Sequence, residues 1–186
     1  MSTRWVVATA AALGLGMLTL PGASGLSIHA GGLLPGGASA QGAACDANAK
    51  PANLDFTLPE MNGGEVNLAE LEGNVIIINF WATWCGPCKI EIPWFVDFQR
   101  QYRDDGLVVL GFSVDDTAEQ MKPFAEEMGV NYPMLVGVGQ DEFQEAYGPV
   151  WGIPVTFFID RKGTLCRSHM GIVTREELQK DIDDLL

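Results

Sequence analysis

The chain has 186 residues, 47% of them hydrophobic and 9% aromatic, enough for one domain with a substantial core and too few for two ordinary ones. Its formal net charge is -13, and no segment gathers lysine or arginine into a patch that could neutralise phosphates. The electrostatics therefore oppose nucleic-acid binding and disfavour anionic membrane surfaces.

In chain order, Arg4 gives a short positive start, an apolar run over residues 5–20 is closed by Pro21 and Gly22, and a Gly/Ala/Ser/Leu-rich stretch follows. That stretch contains Ala38-Ser39-Ala40, an A-x-A pattern that permits cleavage after Ala40. Residues 1–40 read as a signal peptide or a retained membrane anchor with a Gly/Ala-rich linker, and a disordered linker is the plainer alternative. Residues 41–53 read as an unstructured lead-in and 54–186 as the folded domain.

Within that domain, residues 55–58 and 65–68 flank a turn containing Asn62-Gly63-Gly64 and suggest a hairpin. Residues 75–81, Val-Ile-Ile-Ile-Asn-Phe-Trp, form a continuous β-favouring run that predicts a central strand buried on both faces. A helix is expected over residues 85–102, bent at Pro93, with Trp94, Phe95, Phe98 and Tyr102 inward. A strand over 107–114 and a helix over 117–128 ended by Gly129 follow; Pro123 inside that helix is not explained by the periodicity. Residues 131–136 suggest a short strand and 142–147 a short helix. Strands over 155–159 and 164–169 enclose the turn Asp160-Arg161-Lys162-Gly163, and a final helix over 174–186 carries Leu178, Ile182 and Leu185 on one face.

The chemistry concentrates at Cys85-Gly86-Pro87-Cys88. Two cysteines at this spacing close a small disulfide, and the first, placed at a helix N-terminus, meets unpaired N–H groups and the positive end of the helix dipole. That environment favours thiolate, the species that attacks disulfides, so Cys85 reads as the nucleophile and Cys88 as the group that resolves the mixed disulfide. Pro87 suits the first turn because its missing N–H would have had no partner. The competing readings are half a zinc site and a purely structural pair. Zinc needs about two more ligands, whereas Cys45 and Cys166 stand alone and the histidines are His29, in the leader, and His169.

The segment Asn79-Phe80-Trp81-Ala82-Thr83-Trp84-Cys85-Gly86-Pro87-Cys88-Lys89 resembles the active-site segment of thioredoxin-like proteins, and Pro93 falls where that family's helix carries its kinking proline. Phe56-Thr57-Leu58, residues 64–73, Ser113-Val114-Asp115, Tyr132-Pro133 and Gly152-Ile153-Pro154-Val155-Thr156-Phe157-Phe158-Ile159-Asp160 extend the likeness. From about residue 54 to the C-terminus the chain resembles the TlpA/ResA group of extracytoplasmic thiol-disulfide oxidoreductases, in the AhpC/TSA-redoxin-like branch of the thioredoxin family. The resemblance implies a thioredoxin-like α/β fold: a central mixed β-sheet flanked by helices, with an N-terminal β-hairpin and a central βα insertion.

It also implies roles for particular residues. Pro154 is expected to be a cis-proline facing Cys85, an X-Pro bond being the kind for which cis is cheap. The Ile153 backbone would then pair with an incoming client, and Trp84, Gly86, Pro87, Ile153 and Pro154 would form the client-binding surface. Glu91 matches an acidic residue found near the disulfide in the ResA-like branch and could relay the proton of Cys88; a solvated helix acid is the plainer reading. Asn79 stands where thioredoxins proper carry a buried aspartate. The stretch 148–153 is one residue longer than the usual family spacing, and its Trp151 either lines the client groove or caps the core. Cys45 and Cys166 are candidates for a structural disulfide. The alternative of a lipidated Cys45 lacks the large aliphatic residue that a lipobox would place in Gly42-Ala43-Ala44.

The implied activity is reduction of protein disulfides in the periplasm or otherwise outside the cytoplasm, with no metal and no cofactor beyond the dithiol itself. By resemblance, the clients belong to cytochrome c maturation or copper-centre assembly, and a membrane thiol transporter restores the dithiol. Two rival functions are a peroxiredoxin-like peroxidase, for which Ala82 stands where a threonine is required, and a copper chaperone using Cys85, Cys88 and His169.

Overall fold

The computed structural model describes residues 45–148 and 150–186. The leader or anchor expected over residues 1–40 lies outside them, as do Pro149 and the first residues of the lead-in. In chain order the elements are β1 (Lys50–Pro51), β2 (Thr57–Pro59), β3 (Glu65–Asn67), β4 (Val75–Trp81), α1 (Cys88–Tyr102), β5 (Leu107–Ser113), α2 (Ala118–Met128), β6 (Met134–Val136), α3 (Asp141–Ala146), β7 (Val155–Ile159), β8 (Thr164–Met170) and α4 (Arg175–Leu185). Six strands form one mixed sheet in the order β1-β8-β7-β4-β5-β6, and β2 pairs with β3 as a separate hairpin. Strands β4, β5 and β6 run parallel, while β7 and β8 are antiparallel to their neighbours. This is the expected thioredoxin-like architecture, with α2, β6 and α3 as the insertion between β5 and β7.

Strand β4 is buried at every position, and its alternate residues feed two cores. Val75, Ile77 and Trp81 pack with α1, α2 and α4 through Phe95, Phe98, Met121, Phe124, Leu178 and Ile182. Ile76, Ile78 and Phe80 pack on the other face with Leu58, Leu68 and Phe143. Asn79 is the polar exception at 1% exposure. Its amide donates to Thr156 Oγ1 at 3.0 Å, without which burial would cost about 1–3 kcal/mol.

Local chemistry ends the helices where the sequence places the signals. Gly129, at φ 65°, closes α2, and Thr174 opens α4 by accepting from the Glu177 N–H while its own N–H donates to the Glu177 carboxylate. Helix α2 runs through Pro123 with that residue exposed.

Three expectations are corrected. Helix α1 begins at Cys88 rather than Cys85, because Cys85 to Pro87 form the turn leading into it; the Lys89 N–H reaches back to the Cys85 carbonyl at 3.3 Å. Trp94 is only partly buried, since α1 directs Glu91, Ile92, Phe95, Phe98 and Tyr102 inward and leaves Trp94 at the edge of that face. The lead-in is not structureless: Lys50 and Pro51 pair with Leu165 and Thr164 as an edge strand, which apolar periodicity could not reveal in a two-residue element.

Candidate active site

Cys85 and Cys88 are joined by a disulfide at the mouth of α1. The Cys88 N–H donates to Cys85 Sγ at 3.2 Å, so the first sulfur sits where the helix presents unpaired donors and the positive end of its dipole. Cys85 is 3% exposed and Cys88 fully buried, which leaves Cys85 as the sulfur nearer solvent.

The turn before the disulfide is fixed by an acid that sequence reasoning missed. Asp116, itself buried, accepts from the Thr83 N–H at 2.7 Å, the Thr83 hydroxyl at 2.6 Å and the Ser113 hydroxyl at 2.7 Å. Its neighbour Asp115 accepts from the Trp84 indole N–H at 3.0 Å and holds a ring that is 63% exposed. The signal was weak: Ser113-Val114-Asp115 was legible only as a family likeness, and nothing local pairs Asp116 with Thr83.

The Ile153–Pro154 peptide bond is cis. Val155 is registered opposite Phe80, which sets Pro154 beside the end of β4 from which the chain turns toward Cys85, and the Pro154 carbonyl accepts from the Gly171 N–H at 2.8 Å. Trp84, Ile90, Trp151, Met170 and Ile172 are five of the six large hydrophobic side chains exposed among the described residues, and Met170 is registered opposite Val155, the residue after Pro154. Trp151 does not cap the core. Trp94 and residues 172–177 line an open groove of about 650 Å³ next to Val173.

Glu91 is not a solvated helix acid. It is 1% exposed; Oε1 accepts from the Val173 N–H at 3.3 Å and Oε2 has no hydrogen-bond partner. Burial pushes its pKa up to about 7, partly offset by the Val173 N–H and by the electrostatic influence of His169. It follows Cys88 by three positions on α1, one turn along the same face.

Cys45 and Cys166 form a second disulfide, bridging the lead-in and β8. Cys45, Cys166 and Asp160 have ligand atoms close enough to hold a metal ion, but the two sulfurs are bonded to each other. His169, which a copper site would recruit, has its Nε2 2.6 Å from Asp181. No helix among the described residues is long and apolar enough to cross a membrane.

Comparison with known proteins agrees with this geometry. Residues 50–168 match the model of the AhpC/TSA family. The thiol-disulfide oxidoreductase ResA of Geobacillus thermodenitrificans is 31% identical over 131 residues, spanning 70% of this chain and 74% of the relative. The thioredoxin-like protein YneN of Bacillus subtilis is 31% identical, spanning 69% of this chain and 75% of that protein. Among solved structures, a DsbE-type thiol:disulfide interchange protein of Chlorobium tepidum superposes with a TM-score of 0.65 at 31% identity, covering 73% of this chain and 97% of that one. With the redox-competent cysteine pair set at the head of α1 in this fold, the chain belongs to the AhpC/TSA family and is one of its ResA-related thiol-disulfide oxidoreductases.

Proposed function

We propose that the protein works outside the cytoplasm as a reductase of protein disulfides, through Cys85 and Cys88. The observation that carries this reading is the placement of the Cys85–Cys88 disulfide at the N-terminal mouth of α1. In the reduced protein the Cys85 thiolate attacks one sulfur of a client disulfide, which breaks and leaves a Cys85–client mixed disulfide. Cys88 then attacks Cys85 Sγ, the client sulfur departs as thiolate, and the two electrons of the dithiol have passed to the client. The proton released by Cys88 passes to Glu91, which stands one turn away with an unpartnered oxygen.

The Ile153 backbone and the apolar rim formed by Trp84, Trp151, Met170 and Ile172 receive the client, with Gly86 and Pro87 leaving the approach to Cys85 open. Gly86-Pro87 is the dipeptide of reducing thioredoxins, at about -270 mV against about -120 mV for oxidants of the DsbA type, which favours reduction. The leader over residues 1–40 exports the chain, as a cleaved signal or as an anchor. Its clients, on this reading, belong to cytochrome c maturation or copper-centre assembly, and a membrane thiol transporter restores its dithiol; the resemblance of the sequence to the TlpA/ResA group supports both. The bridge between Cys45 and Cys166 is structural.

Expression of Cys88→Ser in the native host tests the reading: exported proteins should be captured as mixed disulfides through Cys85 and released by reductant. Recovery of no Cys85-linked protein, with the variant folded and exported, rejects it.

A further inference from the structure

Away from the active site, three side chains with metal-ligating atoms converge. Cys45, Asp160 and Cys166 place a sulfur, a carboxylate oxygen and a second sulfur within 4.8 Å of one another. They come from three segments distant in the chain: the lead-in, the turn between β7 and β8, and β8 itself. The Asp160 carboxylate divides its two oxygens. Oδ1 accepts from the Lys162 N–H at 2.9 Å and the Thr164 N–H at 2.8 Å, which fixes the side chain within the turn. Oδ2 is left to face the sulfurs, 4.0 Å from Cys45 Sγ.

In the oxidised protein the two sulfurs are bonded to each other and closed to metal. A chain is synthesised with its cysteines as thiols, and the bridge forms only under oxidising conditions. Three ties keep Cys45 beside Cys166 in the meantime. β1 pairs with Leu165 and Thr164 of β8, the Asp46 N–H donates to the Cys166 carbonyl at 3.1 Å, and the Asp46 carboxylate lies 3.8 Å from Arg167. None of these passes through sulfur. Two thiolates and one carboxylate are a donor set that suits zinc. Tetrahedral zinc, at ~2.3 Å from sulfur and ~2.0–2.2 Å from oxygen, spaces its ligand atoms by roughly 3.5–3.8 Å. Asp160 Oδ2 therefore already stands close to a ligand's distance from Cys45 Sγ.

We propose that in the reduced chain Cys45, Cys166 and Asp160 form a zinc site, completed by water, that fastens the lead-in to β8 before the disulfide does. Binding sends the two thiol protons to solvent and leaves the oxidation state of both sulfurs unchanged. Exchange with an external disulfide then joins the two sulfurs, releases the zinc, and passes two electrons to that disulfide, which leaves as two thiolates. While zinc is bound, neither thiolate is free to pair wrongly with Cys85 or Cys88.

The test uses zinc and cobalt(II) as probes on full-length Cys85→Ser/Cys88→Ser protein, kept reduced by a phosphine, so that the active-site thiols contribute nothing. Metal analysis after gel filtration should find one zinc per chain, and cobalt(II) should give the sulfur-to-metal charge-transfer band and visible bands of a tetrahedral thiolate site. Adding Cys45→Ser and Cys166→Ser should abolish both signals. Asp160→Asn, which keeps an oxygen for the turn, should weaken zinc binding by at least about tenfold. Zinc bound no better than by the chain lacking Cys45 and Cys166, or bound at parent affinity by folded Asp160→Asn, overturns the proposal. Should Asp160→Asn not fold, protection supplies a second route. Zinc should slow iodoacetamide modification of both Cys45 and Cys166, and rates that zinc leaves unmoved overturn the proposal equally.

Discussion

At the residue scale the two active-site sulfurs differ by environment rather than by kind. Cys85 stands at the helix mouth and Cys88 is sealed in the first turn, so in the reduced protein near neutral pH iodoacetamide should modify Cys85 at least about tenfold faster. Equal rates would contradict the assignment of the nucleophile. Glu91→Gln should slow the second step, release of the client thiol, by about 10²- to 10⁴-fold while leaving the first attack nearly intact; stopped-flow reduction of a model client separates the two. The same residue gives stability a pH dependence of definite sign. With the folded pKa raised to about 7 from 4.5, the native state binds more protons than the unfolded chain between those values, so stability falls as pH rises through that window. Glu91→Gln should therefore gain about 2–3 kcal/mol on the parent between pH ~5 and pH ~8, measured by denaturant unfolding of the oxidised proteins.

At the scale of elements, the site depends on how the loops at one end of the sheet brace one another. The end of β5 is clamped to the turn before Cys85 through Asp116, and the turn after β6 presses on β5 in its turn. A Cβ added at Gly137 would lie 2.1 Å from the Ser113 carbonyl oxygen and 2.8 Å from the Phe112 ring, both in β5, which cannot yield without moving Asp116. Gly137→Ala should cost about 2–4 kcal/mol and lower thiol-disulfide oxidoreductase activity together with stability. Thermal unfolding of the variant at an unchanged midpoint would show that β5 is not braced in this way.

For the whole molecule, the disulfide between Cys45 and Cys166 spans 121 positions of sequence and fastens the lead-in, through β1, to the outer edge of β8. The Asp46 N–H also reaches the Cys166 carbonyl, at 3.1 Å, and the Asp46 carboxylate reaches Arg167. Closing so long a loop restricts the unfolded chain strongly, and the double variant Cys45→Ser/Cys166→Ser should lose about 2–5 kcal/mol while keeping the Cys85–Cys88 chemistry. A titration with dithiothreitol should open the active-site pair first, because structural bridges typically lie below about -300 mV. Peptide mapping of partly reduced protein checks the order.

What the sequence determined by itself is whatever rests on local pattern. The continuous branched run marks β4 as the centre of the sheet, the apolar periodicity places α1, α2 and α4, and the C-x-x-C spacing before a helix states the chemistry. What only the tertiary structure decided is whatever joins residues distant in the chain. A carboxylate three residues past Cys88 reads the same on a wet or a dry face, and Glu91 becomes a buried acid because the turn at Val173 closes over it. Asp116 acquires its partners in Thr83 and Ser113, and His169 its place opposite Thr156, because strand register brings them together. Burial and charge are set by three-dimensional neighbours, and local spacing does not specify those neighbours.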